Sequence, residues 1–172
     1  MLMKPPLRKL ALTVHVICSV GWLGAVVCSL VLALAGVLDS DPEVVRASYL
    51  ALDVVGWFVL VPLSIASLVT GVVQSLGTSW GLLRHYWVLM KLAMNLAAVV
   101  VLLLYTQTLG YLADLAASLP PAAGLSELRS PSPVLHAALA VILLVFATVL
   151  ALYKPKGLTR YGQRKQRTFA SV

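Results

Sequence analysis

Charge is what this chain has least of. Charged residues make up 11% of its 172 positions, where a water-soluble domain carries about 25%. Hydrophobic residues reach 60%, so there is too little polar surface to cover a globule in water. Acids are the scarcer sign, with six Asp and Glu against thirteen Lys and Arg. The resulting net charge of +7 does not read as a nucleic-acid footprint, because the basic residues sit in short segments between apolar runs. Only two cysteines occur, Cys18 and Cys28. On one helix they stand roughly 15 Å apart, beyond the reach of a disulfide, and they read as small buried apolar residues. There is no Gly-rich phosphate loop, no cysteine pair at zinc spacing and no arguable Ser-His-Asp set. Nucleotide, zinc and serine-hydrolase chemistry therefore have no foothold in the sequence.

What is present is a set of long apolar runs, and about 20 residues suffice to cross a bilayer as a helix. The expected fold is all-α, a polytopic membrane protein built as a four-transmembrane-helix bundle. Residues 1–9 form a basic arm, 10–153 the membrane domain, and 154–172 a basic tail. The helices are expected at about 10–38, 44–76, 87–117 and 134–153. The first run is too long for the core of a signal peptide, about 7–15 residues, and reads as an uncleaved helix. Asp41 is placed to cap the second helix, with Pro42 at its first position. Pro62, near the middle of that helix, predicts a kink. Below it Ser64, Ser67, Thr70, Gly71 and Gln74 are of the type that lets membrane helices approach and hydrogen-bond. Trp80, Tyr86 and Trp87 are expected at headgroup level. The longest connection, Ser118 to Pro133, carries four prolines.

Charge also orients the spans. The arm, the connection between helices 2 and 3 extended to Lys91, and the tail hold eleven of the thirteen basic residues. The other two connections hold only Arg46 and Arg129, and they hold or border all six acids. Positive flanks stay on the cytoplasmic side, which places both termini there. The polybasic tail suits anionic lipid rather than nucleic acid.

An ionisable residue inside a span is a candidate for function, and there are four: His15, Asp53, Lys91 and His136. His15 shares a face with Ser19 and Trp22, while Gly21, Gly24 and Cys28 make a small-residue stripe on the other side. That predicts protein contact on two sides of the first helix. His15 reads either as a haem ligand or proton carrier, or as a neutral ring hydrogen-bonded to a neighbouring helix. Lys91 lies at a similar depth, on a face with Trp87, Asn95 and Tyr105. It either snorkels to the headgroups or meets an anionic group, and the two residues are expected to face one interhelical space. Asp53 and His136 both fall near the outer ends of their helices and are expected to form a structural polar pair. His15 and His136 should stand on the order of 20 Å apart along the membrane normal, so one iron cannot be ligated by both. His85, beside Arg84 in the inner connection, is expected to be solvated.

Three segments carry a resemblance over nearly the whole chain: HVICSVGWLG, WFVLVPLSIASLVTGVVQSLGTSWGLLRHYWVLMKL and YKPKGLTRYGQRKQ. In these the chain resembles the bacterial, mostly actinobacterial, membrane proteins grouped as domain of unknown function 2269. That resemblance implies a fold and a plasma-membrane location, without an activity. The spacing of His15, Trp22 and Gly24 is also similar to the first-helix pattern of HemJ-type protoporphyrinogen oxidases and CopD-type copper-resistance proteins. Trp87 and Lys91 look like the third-helix pattern of the HemJ type. This similarity implies haem or porphyrin near His15, with Trp22 beside it and Lys91 facing a propionate. Ala25 stands where the motif's second glycine is usual, and no His follows Lys91 on its helix. Two functional expectations follow, a structural or accessory membrane component and a haem- or porphyrin-binding redox protein. A third, an oligomeric transporter or channel, would need Ser64, Ser67 and Gln74 to line a central path. A homo-oligomer or a larger membrane complex is a further expectation.

Overall fold

The four apolar runs form four long helices in the computed structural model, which describes residues 3–78, 80–119 and 128–164. Lys165, Arg167 and residues 120–127 lie outside the described residues. Helix 1 spans Pro5–Leu38, helix 2 Pro42–Leu76, helix 3 Tyr86–Ser118 and helix 4 Ser132–Tyr153. Helix 1 begins inside the basic arm because Pro5 has no N–H to lose in a first turn. Asp41 caps helix 2, its carboxylate accepting from Glu43 N at 2.9 Å. Helix 4 ends where Lys154 turns left-handed at φ 43°, since the next residue, Pro155, disfavours a helical predecessor.

Helix 2 is not uniform. Gly56–Leu60 is a π turn set immediately before Val61 and Pro62. The Val61 N–H reaches back to the Gly56 carbonyl. A wider turn relieves the clash that a proline ring makes with the carbonyl four residues earlier. The irregularity expected at Pro62 thus appears as one underwound turn of backbone.

The helices pack as a ring in the order 1, 2, 3, 4, with helix 4 closing onto helix 1. Helices 2 and 4 stand on a diagonal. One packed cluster gathers Ala33, Tyr49, Leu52, Leu109, Leu112 and Leu128. A second, deeper one gathers Trp22, Val26, Leu60, Val99 and Leu144. The outward sides are as apolar as the core: Phe58 is 77% exposed, Leu152 72% and Ile142 65%. A soluble protein does not expose apolar surface along every helix. With four helices long and apolar enough to cross, this is a multi-pass integral membrane protein in contact with lipid.

One stripe of helix 1 is buried: Trp22, Val26, Ser29, Ala33 and Gly36. Gly24 has nothing within 4 Å of a built Cβ, and Cys28 is exposed. Gly24 and Cys28 of the small-residue stripe therefore face outward, while Gly21 packs toward Leu63 of helix 2, a Cβ there lying 3.5 Å from that side chain, and helix 1 meets protein on two sides through helices 2 and 4. Cys28 is likewise not the buried residue its type predicted.

Both ends of the described chain meet at one end of the bundle. Met3 N donates to the Gly77 carbonyl at 3.0 Å, and Thr159 N to the Arg84 carbonyl at 3.0 Å. The Thr159 hydroxyl donates to the Leu83 carbonyl at 2.6 Å. Trp80, His85 and Trp87 form an edge-to-face aromatic group, with the Lys154 ammonium 5.4 Å from the Trp80 ring. His85 is held in that group, its Nδ1–H donating to the Trp80 carbonyl at 2.8 Å. At the opposite end Arg129 donates to the Val37 and Asp39 carbonyls, satisfying acceptors that the end of helix 1 leaves open.

Candidate functional site

Two polar groups lie within the bundle, one toward each end. The first joins helices 1 and 2 on the side of the termini. His15 Nδ1 is 3.0 Å from Thr70 Oγ1, and one turn along, Ser19 and Ser67 share a hydroxyl bond of 2.9 Å. Thr70 gives its single hydroxyl proton to the Ala66 carbonyl at 2.6 Å. Its oxygen therefore accepts from His15, so Nδ1 carries the ring proton and Nε2 keeps a lone pair. The imidazole is seated on Gly71, where a Cβ would come within 3.1 Å of Cε1. A glycine is needed at that point because the ring occupies the space of its side chain.

Lys91 comes from helix 3. Among the described residues no hydrogen bond or ion pair holds it. Nearby along the same helices, Trp87 Nε1 and Gln74 Oε1 are buried without a hydrogen-bond partner among the described residues. No hydrogen bond joins His15 to Lys91 among the described residues. Trp22 lies apart from the His15 group. It packs in the deeper cluster with Leu60 and Val99.

The second group joins helices 3 and 4. His136 Nδ1 donates to the Ser132 carbonyl at 2.9 Å, and the Tyr105 hydroxyl bonds Ser132 Oγ at 2.9 Å. The two rings stack with centroids 3.9 Å apart. Asp53 has a different neighbour: its Oδ1 lies 3.7 Å from where a Gly110 Cβ would be. Among the described residues no hydrogen bond or ion pair joins Asp53 to His136. Tyr105 and Ser132 are the partners that the sequence did not single out for His136. The aromatic at the end of the polar stripe on helix 3 was the available signal.

Against the second group lies a cavity of about 340 Å³. Trp22, Leu60, Tyr105, His136, Ala140 and Leu144 are among its walls. Neither His15 nor Lys91 lines it.

The donor chemistry of His15 suits axial ligation, since Nδ1–H is anchored and Nε2 is free. The space does not, because the ring fills the seam between helices 1 and 2 and the cavity lies elsewhere. A macrocycle on His15 would have to part that seam. No three His, Cys, Asp or Glu side chains gather among the described residues in a way that could hold a metal ion. Compared with models of protein families, with curated proteins and with solved structures, the chain has no match in any of the three.

Proposed function

We propose that this protein is a structural or accessory component of a bacterial plasma membrane, without catalysis of its own. The observation that carries the reading is the use made of its intramembrane polar groups. His15, Ser19, Ser67 and Thr70 are consumed in fastening helix 1 to helix 2, as Tyr105, Ser132 and His136 are in fastening helix 3 to helix 4. Groups spent on packing are not held ready for chemistry. Both termini and the connection between helices 2 and 3 face the cytoplasm in this reading, where their basic residues attract anionic lipid. The resemblance to the domain of unknown function 2269 accords with such a role. A pathway through an oligomer has less support, since Ser64 and Ser67 are 0% and 2% exposed within the single chain.

The second reading is a haem- or porphyrin-binding redox protein using His15 and Lys91. It draws on the free Nε2 of His15 and on a Lys91 ammonium without a partner among the described residues. One experiment separates the two. The protein is expressed with ample haem, purified in mild detergent and scanned optically. A colourless protein whose His15→Ala variant loses thermal stability supports the accessory role. A Soret band that disappears in His15→Ala replaces it with the haem reading.

A further inference from the structure

The cavity is used by neither reading. Its volume, about 340 Å³, falls within the range of small-molecule pockets, about 300–1,000 Å³. Aliphatic side chains make most of its wall, Val26, Leu102, Ala140, Leu143 and Leu144 among them. Along helix 4 the lining runs from Pro133 to Leu144, about 16 Å of helical rise. The space is therefore long as well as greasy. Ala97 and Val101 of helix 3 and Leu139 of helix 4 belong to the lining and are also exposed on the outer surface. The mouth thus lies between helices 3 and 4, flanked by apolar surface.

One end of this slot is polar. The Ser132 carbonyl can only accept, so its 2.9 Å bond to His136 Nδ1 fixes the proton on that nitrogen. In the neutral ring Nε2 is then an acceptor. Tyr105 holds the ring flat by stacking at an interplanar angle of 18°, and its own hydroxyl is taken up by Ser132. His136 is the one ionisable side chain of Asp, Glu, Lys, Arg or His type in the lining, so a charged headgroup finds no counter-charge. A plain hydrocarbon chain would fill the slot and leave Nε2 unpaired, which costs free energy in a dry site.

We propose that this cavity is a lateral binding site for a hydroxyl-bearing lipid. The guest is an alcohol or phenol with a long apolar body, whose O–H donates to His136 Nε2. The proposal depends on neither His15 nor Lys91.

Trp22 in the cavity wall supplies the test. The protein is reconstituted in lipid nanodiscs and titrated with decanol carrying bromine at the far end of its chain, a quencher of indole fluorescence. A second titration uses the methyl ether of the same compound, which cannot donate. The Trp22 signal is taken as the difference from Trp22→Phe. Saturable quenching is expected, with the alcohol favoured over the ether by roughly threefold or more. The preference should vanish in His136→Phe, which keeps an aromatic ring for Tyr105 to stack on. Saturation itself should vanish in Ala140→Phe, which fills the slot. Quenching of Trp22 that never saturates overturns the proposal. So does equal quenching by alcohol and ether in the unaltered protein, which would assign the slot to any acyl chain and needs no variant to fold.

Discussion

The seating of His15 on Gly71 can be tested by two alanines. A Cβ at Gly71 comes within 3.1 Å of the His15 ring, several tenths of an ångström inside comfortable carbon contact, about 3.5–4.0 Å. The ring cannot slide away freely, because Nδ1 is held by Thr70 at 3.0 Å. Gly71→Ala must therefore strain the seam or give up that bond. Overpacking of this kind costs about 1–3 kcal/mol, and a lost membrane hydrogen bond adds roughly 0.6 kcal/mol. Against this, alanine favours a helix over glycine by about 1 kcal/mol. Gly24→Ala supplies the control, since nothing lies within 4 Å of its Cβ and only the helix gain remains. The helix gain cancels between the two variants, so Gly71→Ala should be less stable than Gly24→Ala by about 1–3 kcal/mol. The assay is reversible unfolding of the purified protein by a denaturing detergent, followed by circular dichroism. Repeating both alanines in a His15→Ala background completes a double-mutant cycle. There the gap should fall below about 0.5 kcal/mol, because the ring that Gly71 accommodates is gone. Equal stabilities for the two single variants, or a gap that survives removal of His15, would refute the described seam.

Other variants probe the remaining contacts. Tyr105→Phe should lower stability by about 0.6 kcal/mol in the same unfolding assay, and Ser132→Ala in the Tyr105→Phe background should add little. Asp41→Ala should cost about 1 kcal/mol by uncapping helix 2, read as earlier unfolding. Gly162→Ala drives a Cβ into the Arg84 carbonyl oxygen, so the segment around Thr159 should detach. Limited trypsin digestion should then cut after Lys156 and Arg160 faster than in the unaltered protein. Single cysteines at Ser40 and Gln163, in a chain without Cys18 and Cys28, should label from opposite sides of sealed vesicles, with Gln163 reached from the cytoplasmic side. Labelling of both from one side would contradict the three crossings that lie between them.

The helices were legible in the sequence because span length and the scarcity of charge are one-dimensional signals. Their neighbours were not, because a membrane helix is apolar on its lipid side as well as its protein side. Gly24 and Cys28 look like a packing stripe and face outward, whereas Trp22 and Val26 carry the contact. Asp53 and His136 match in depth, but depth says nothing about adjacency, and their helices stand on a diagonal of the ring. His136 instead finds Tyr105 on the next helix. Thr70 and Ser67 were visible as weakly polar residues suited to helix contact. That His15 and Ser19 would be their partners depended on the rotation of two helices about their axes, which no single span encodes.

The π turn of helix 2 sets the phase of everything after it. Each residue of an ordinary helix advances the wheel by about 100°, and a turn holding one surplus residue leaves the two halves out of step by about that angle. Leu52 and Tyr49 are aimed by the first half, Ser67 and Thr70 by the second, and both pairs reach the interior. Drawn as one continuous wheel, Tyr49 and Ser67, eighteen residues apart, would point the same way; the surplus residue sets them about 100° apart, so the two halves present different faces inward. Loss of a single residue between Gly56 and Leu60 would take out the surplus and leave Thr70 still facing His15, whereas winding all five residues as ordinary helix would turn Thr70 by about 100° away from it, from a site fifteen ångströms or so distant along the rod.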